Sequence, residues 1–237
     1  MSRHSKWSKV KQFKGAIDAK RSASFTKLAH EITVAVREKG SDPGFNVRLR
    51  FAIERAKKGL MPKENIERAI KRGTGENVGD AQIEQPTYEA YGPGGSALVI
   101  ECMTDNRNRS VADVKTILTK NGGTFASSGA VTHLFSRTGV VRAKGEVNDE
   151  IELSLIESGA IDITKEDEEV VIKTSPQDLM SIATTAEQKG LAIESAQFEW
   201  VPNTLIDVDE ETGLKIEALI EALEENDDVN QVYSNVS

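Results

Sequence analysis

Apolar residues recur along this chain at two different spacings, and the change from one to the other divides it. Over residues 16–40, Phe25, Leu28, Ile32 and Val36 return every three or four positions, the period that lines up one face of a helix. Lys20 and Lys27 are seven apart and share a face away from most of that stripe. Gly40 supplies a stop, and Ser41-Asp42-Pro43 offers cap candidates for a second helix. There Leu49, Ile53, Ala56 and Leu60 form the stripe while Arg48, Arg50, Arg55, Lys57 and Lys58 stay on the wet side. Met61-Pro62 opens a third helix, with Glu64 in its first turn and Arg68, Lys71 and Arg72 toward its end, before Gly73-Thr74-Gly75. Acid first and base last suits the helix dipole, so part of this charge has a purely local explanation.

From about residue 85 the period shortens. TYEAY, GPGG and SALVIECMT read as strand, turn and strand, with proline presetting φ and glycine taking positive φ. Ser110 and Asp113 resemble a capping box ahead of a helix striped by Val111, Val114, Ile117 and Leu118. A self-contained run follows. AVTHLFSRTGVVRAK reads as a strand or hairpin, NDEIELSLIESGA as a helix, and IDITKEDEEVVIKT as two strands about an acidic turn. Ser175-Pro176-Gln177-Asp178 starts a helix to about Lys189, and LAIESAQFEWV closes the run as a strand. The order β-α-β-β-α-β is the split βαβ, ferredoxin-like arrangement. Beyond it Leu214, Ile216, Leu219, Ile220 and Leu223 stripe another helix, followed by the alternating strand VNQVYSNV. The pieces flanking the run, β-β-α before and α-β after, combine into a second α+β unit of the same general kind. The expected fold is α+β. A basic helical domain with an N-terminal arm spans 1–78, and a discontinuous domain spans 79–130 and 205–237. A ferredoxin-like domain, 131–204, is inserted into the latter.

Composition narrows the function classes. Of 237 residues 38% are hydrophobic and 29% charged, which suits a globular domain. No apolar run approaches the ~20 residues that span a bilayer, and the N-terminus has no apolar signal segment. Cys102 is the sole cysteine, so there is no disulfide framework and no cysteine-based zinc site. His4, His30 and His133 lack ligand spacing, and no metal or cofactor is expected. A reducing cytoplasm is the expected location. The net charge of −8 conceals a split. Residues 1–73 hold 19 Lys and Arg against 7 Asp and Glu, a balance of +12; the remainder balances at −20. Asymmetry on this scale points to a polyanion-binding end joined to an acidic body.

Enzymatic signatures are wanting. GPGGSA precedes a strand and carries no lysine, unlike a dinucleotide fingerprint or a P-loop. The carboxylates crowd the turn at 166–169 and the tail at 207–228, Cys102 reads as core, and His133 reads as a half-buried strand residue. Nothing assembles a nucleophile, base and orienter. In TDNRNRS, Arg107 and Arg109 lie just before a helix start, where backbone N–H groups favour anions. Two readings stand there: an anion or acidic partner docks on the arginines, or they pair with the acidic body.

The opening HSKWSKVKQFKG carries Lys6, Lys9, Lys11 and Lys14 at spacings that no single helical face explains, so it reads as an arm. Ammonium groups on phosphates release condensed counterions and give salt-sensitive, sequence-independent affinity. Trp7 and Phe13 offer flat faces for stacking, worth ~1–3 kcal/mol per base. Trp7 is the expected contact, with His4 beside it, and Phe13 the expected staple onto the helices. A basic, acid-poor start also fits an organellar presequence, but here the basic character runs on through three helices. The candidate nucleic-acid-binding set is His4, Lys6, Trp7, Lys9, Lys11, Lys14, Lys20, Arg21, Lys27, Arg68, Lys71 and Arg72. Composition does not say which nucleic acid. No zinc finger, helix-turn-helix glycine turn or RRM aromatic motif is present. The competing class is a binding module for a small ligand or protein, with the basic end docked on its own acidic body.

Three long segments carry a resemblance. HSKWSKVKQFKGAIDAKRSASFTKLAHEITVAVREKGSDP, NVRLRFAIERAKKGLMPKENIERAIKRGTG and YEAYGPGGSALVIECMTDNRNRSVADV are similar to the YebC/PmpR-type family of bacterial regulators. That family includes the mitochondrial translational activator of cytochrome oxidase subunit I. The likeness runs from His4 to the terminal VYSNV, with Arg3 standing where the family usually has glycine. It implies a helical domain followed by two α+β domains, one interrupting the other, in a bacterial cytoplasmic protein. It also implies a non-enzymatic regulator of gene expression. Such proteins are labelled DNA-binding transcriptional regulators. The alternative it implies is a translation factor on the ribosome that contacts ribosomal RNA and helps elongation through difficult sequences such as proline runs.

Overall fold

A computed structural model describes residues 25–75, 82–166 and 169–237. Three helices come first: α1 (Phe25–Lys39), α2 (Val47–Lys58) and α3 (Lys63–Thr74). The apolar stripes close a small core in which Leu28, Ile32 and Val36 of α1 meet Leu49 and Ala56 of α2 and Ile66 and Ala69 of α3. The two outer helices touch closely enough that a Cβ on Gly73 would lie 2.5 Å from that of Val36. Thr33 ties the same crossing by donating its hydroxyl to the Ala69 carbonyl at 3.1 Å.

Two local details differ from the pattern. Asn46, not Ser41-Asp42, caps α2. Its Oδ1 accepts from the Leu49 N–H, and its Nδ2 donates to the Ala35 and Gly40 carbonyls at 2.7 and 2.8 Å. Fully buried, Asn46 satisfies a helix start and a helix end at once. Leu60 falls on the stripe by spacing but is 84% exposed. The helix has already stopped: the Leu60 and Met61 N–H groups return to the Lys57 and Ala56 carbonyls, a Schellman closure. The closing residue must turn left-handed, and Leu60 does so at φ 60°.

The rest is two four-stranded antiparallel sheets carrying helices, an α+β fold. The first has the order β3-β1-β2-β8. Its centre is the hairpin of β1 (Thr87–Tyr91) and β2 (Ala97–Cys102), paired from Thr87 opposite Glu101 to Tyr91 opposite Ala97. The turn between them is the Pro93–Gly95 helical turn, where Gly94 takes φ 68°. Outside lie β3 (Thr124–Ala126) and β8 (Val229–Ser234). Helices α4 (Arg107–Lys120) and α7 (Glu210–Glu224) cover one face through Val114, Leu118, Ile216, Leu219 and Leu223 against Leu98 and Ile100.

Between β3 and α7 in sequence runs β4 (Phe135–Lys144), α5 (Asp149–Glu157), β5 (Ala160–Glu166), β6 (Glu169–Thr174), α6 (Leu179–Gln188) and β7 (Ala192–Pro202). Their spatial order β5-β6-β4-β7, all antiparallel, is that of the split βαβ motif. Val141 and Ile172 of this sheet pack on Leu155 of α5 and Ile182 of α6. The uncovered face of the first sheet is closed by Val131, Phe135 and Trp200 against Val99 and Tyr233.

Two further expectations are corrected here. Asn106 caps α4 through the Arg109 N–H, so Arg107 and Arg109 lie inside the first turn and Ser110 is buried within the helix. His133 sits exposed on a helical turn, Thr132–Leu134, ahead of β4, because β4 begins only at Phe135.

Candidate nucleic-acid interface

The arm residues His4, Lys6, Trp7, Lys9, Lys11 and Lys14, together with Lys20 and Arg21, lie outside the described residues. The other candidates fall into two groups according to what holds them. Arg68 and Lys71, three apart on α3, are exposed, and no described carboxylate pairs with either. An unneutralised cation pair on a rigid helix is what a phosphate chain can use.

Lys27 is half-buried and donates to the Glu224 carbonyl at the C-terminal end of α7, where the helix dipole favours a cation. Arg72 turns inward, with Nη2 3.6 Å from Asp105. Arg109 is held hardest. Its Nη2 lies 2.9 Å from Asp228 Oδ1 and 3.1 Å from Asp105 Oδ1, and its Nε donates to Asp228 Oδ2 at 3.2 Å. The Asp228 side chain is 5% exposed. Burial pushes the Asp105 carboxyl up, but the Arg109 hydrogen bond and charge outweigh it and hold it low. Arg107 is 65% exposed and reaches Glu84 only at 4.0 Å. Of the two readings of this pair, pairing with the acidic body describes Arg109, and Arg107 retains a free face.

These residues form a ladder joining α1 and α3 to the first sheet, and its central member was not anticipated. His30, 4% exposed on α1, places Nδ1 2.9 Å from the Met103 carbonyl. Burial lowers its pKa, against the raising effect of that carbonyl, and Arg72, Asp105 and Asp228 all act on it. In sequence His30 looked like one of three scattered histidines; its position between Ala29 and Ile32 on an apolar-rich turn was the available signal.

Cys102 is buried, and burial pushes its thiol up to about 12, so no thiolate forms at neutral pH. Among the described residues no group of three or more His, Cys, Asp or Glu is placed to hold a metal ion.

Comparison with known proteins covers nearly the whole chain. Residues 5–76 match a family model described as the TACO1/YebC protein N-terminal domain, and residues 83–236 match one described as the TACO1/YebC second and third domain. A "Probable transcriptional regulatory protein" of Persephonella marina is 49% identical, covering 99% of this chain and 95% of its own length. One of the same name from Treponema denticola is 45% identical over 100% and 96%. The crystal structure of a conserved hypothetical protein from Aquifex aeolicus superposes with a TM-score of 0.82 at 45% identity, covering 93% of this chain and 92% of that one.

Proposed function

The chain belongs to the TACO1/YebC family, and from that premise we propose that it is a non-enzymatic regulator of gene expression that binds nucleic acid through its basic N-terminal third. The observation that carries this reading is the charge split, +12 over residues 1–73 against −20 over the rest. Both Arg68 and Lys71 add exposed cations without a described acidic partner. In this reading the arm lysines supply counterion-release affinity, while the acidic α+β body orients the complex and repels phosphate that approaches elsewhere. The division into 1–78, 79–130 with 205–237, and 131–204 belongs to the same proposal.

Relatives named transcriptional regulators make DNA the first target to test. A second reading, a translation factor contacting ribosomal RNA, is supported by Trp7 among lysines at irregular spacing. Such an arm suits folded RNA and presents no evident major-groove reader. Among the described residues no helix is long and apolar enough to cross a membrane, and no membrane partner is invoked.

Recovery of bound DNA and RNA from cells, with sequencing, tests both readings when the parent is compared with a charge reversal at Lys6, Lys9 and Lys11. Loss of a discrete promoter footprint supports the DNA reading, and loss of ribosomal RNA crosslinks with co-sedimentation supports the RNA reading. Unchanged occupancy and phenotype in the reversed variant contradicts the proposal.

A further inference from the structure

Where α1 and α2 approach both sheets a cleft of about 410 Å³ opens, within the range that holds small ligands. The face of the first sheet away from α4 and α7 contributes Gln231 and Tyr233, the second sheet contributes Arg137, Gln197 and Phe198, and Gln177 reaches in ahead of α6. On one wall the Arg137 guanidinium lies 5.2 Å from the Phe198 ring centre. Arg137 makes no ion pair within 4.0 Å among the described residues, and its charge acts on Glu101 in the same cleft. The side-chain amides of Gln177 and Gln231 make no hydrogen bond to described residues, and Gln197 spends only its Nε2, on Glu199 at 3.2 Å.

We propose that this cleft receives one unstacked base of a single-stranded nucleic acid, stacked at Arg137 and Phe198 and read on its edge by Gln177, Gln197 and Gln231. Flat heteroaromatic rings are held on aromatic or guanidinium planes, and primary amides supply both donors and acceptors to a base edge. A free anion fits the same walls poorly, because Glu38 and Glu101 also line them. Burial drives the Glu101 carboxyl up, against the Trp200 Nε1–H that donates to it at 2.9 Å and the charges of Arg137 and Arg48. At the rim Arg48, exchanging Glu38 for a phosphate, anchors the backbone on either side of the base. The inference rests on the nucleic-acid reading above and adds to the arm a second, folded site that prefers single strands to duplex.

The test uses the full chain with a 12-nucleotide single-stranded RNA carrying one 5-iodouridine, and a duplex of the same length. Phe198→Leu keeps apolar volume where the ring meets the second core, and Gln177→Ala with Gln231→Ala alters only the cleft wall. Expected are a photo-crosslink in the peptide holding Phe198 or Tyr233 and single-strand binding weaker by about tenfold in each variant. Duplex binding stays at the parent's value, and the thermal midpoint is unchanged in the glutamine variant and slightly lowered in Phe198→Leu. Parent-like single-strand binding by both variants, with crosslinks only elsewhere, overturns the cleft and leaves the basic region's role standing. Absence of any nucleic-acid binding by the parent overturns that role and the cleft with it. Competition by an uncharged extended peptide, lost in the same variants, assigns the cleft to peptide and also overturns the proposal.

Discussion

Two cations of α3 and two of the α+β body are handled in opposite ways. Arg68 and Lys71 face solvent without a described acid. By contrast Arg109 is clasped by Asp105 and Asp228, and Arg142 is bound to Glu199, whose side chain is 4% exposed. Arg109 and Arg142 are used internally, to hold sheets and helices together, whereas Arg68 and Lys71 are left available. A count of lysines and arginines does not separate these roles; what lies within reach of each guanidinium or ammonium does.

The sharpest break of that contrast is Arg142→Ala. It strands a buried carboxylate, which costs about 3–5 kcal/mol, and urea denaturation should show a large fall in the midpoint. Gly73→Ala attacks the helical region instead. A Cβ 2.5 Å from that of Val36 forces α1 and α3 apart, costing about 1–3 kcal/mol by the same measurement. Leu60→Gly goes the other way. Relieving a left-handed leucine that is 84% exposed should stabilise the protein by about 1 kcal/mol, visible as a raised thermal midpoint.

The smallest effect concerns the join between the two regions. Because burial holds the folded-state pKa of His30 below its unfolded value, the unfolded chain binds the extra proton first. The stability tied to neutral His30 is present above about pH 6.5 and falls away as pH drops through the folded pKa. Across that window His30→Gln should flatten the pH dependence of the denaturation midpoint. Asp105, which acts on His30, is itself held low by Arg109, so it does not titrate across that window.

What was legible in the sequence follows the same division. Helical stripes and the alternating strands of the second sheet were readable, because a 3.6-residue and a two-residue period each require one buried face. The Asn46 cap was missed and Leu60 was misread for a shared reason. Each does its work through backbone contacts at a helix end, and an apolar pattern carries no information about which residue turns the chain. In the candidate site, the exposure of Arg68 and Lys71 follows from helical period alone. The engagement of Arg109 does not, since Asp228 lies 119 residues away and is brought there by β8. Nor does the cleft, whose walls come from eight separate stretches of chain.

The central claim is that the N-terminal third binds polymeric phosphate with cations the body leaves free. The most direct test titrates salt against nucleic-acid affinity for the parent and for Arg68→Ala with Lys71→Ala, whose stabilities should agree within about 0.5 kcal/mol. The account predicts a steep linear fall of log affinity with log salt in the parent, and a slope shallower by about 2 in the double variant. Identical slopes in the two proteins would contradict it.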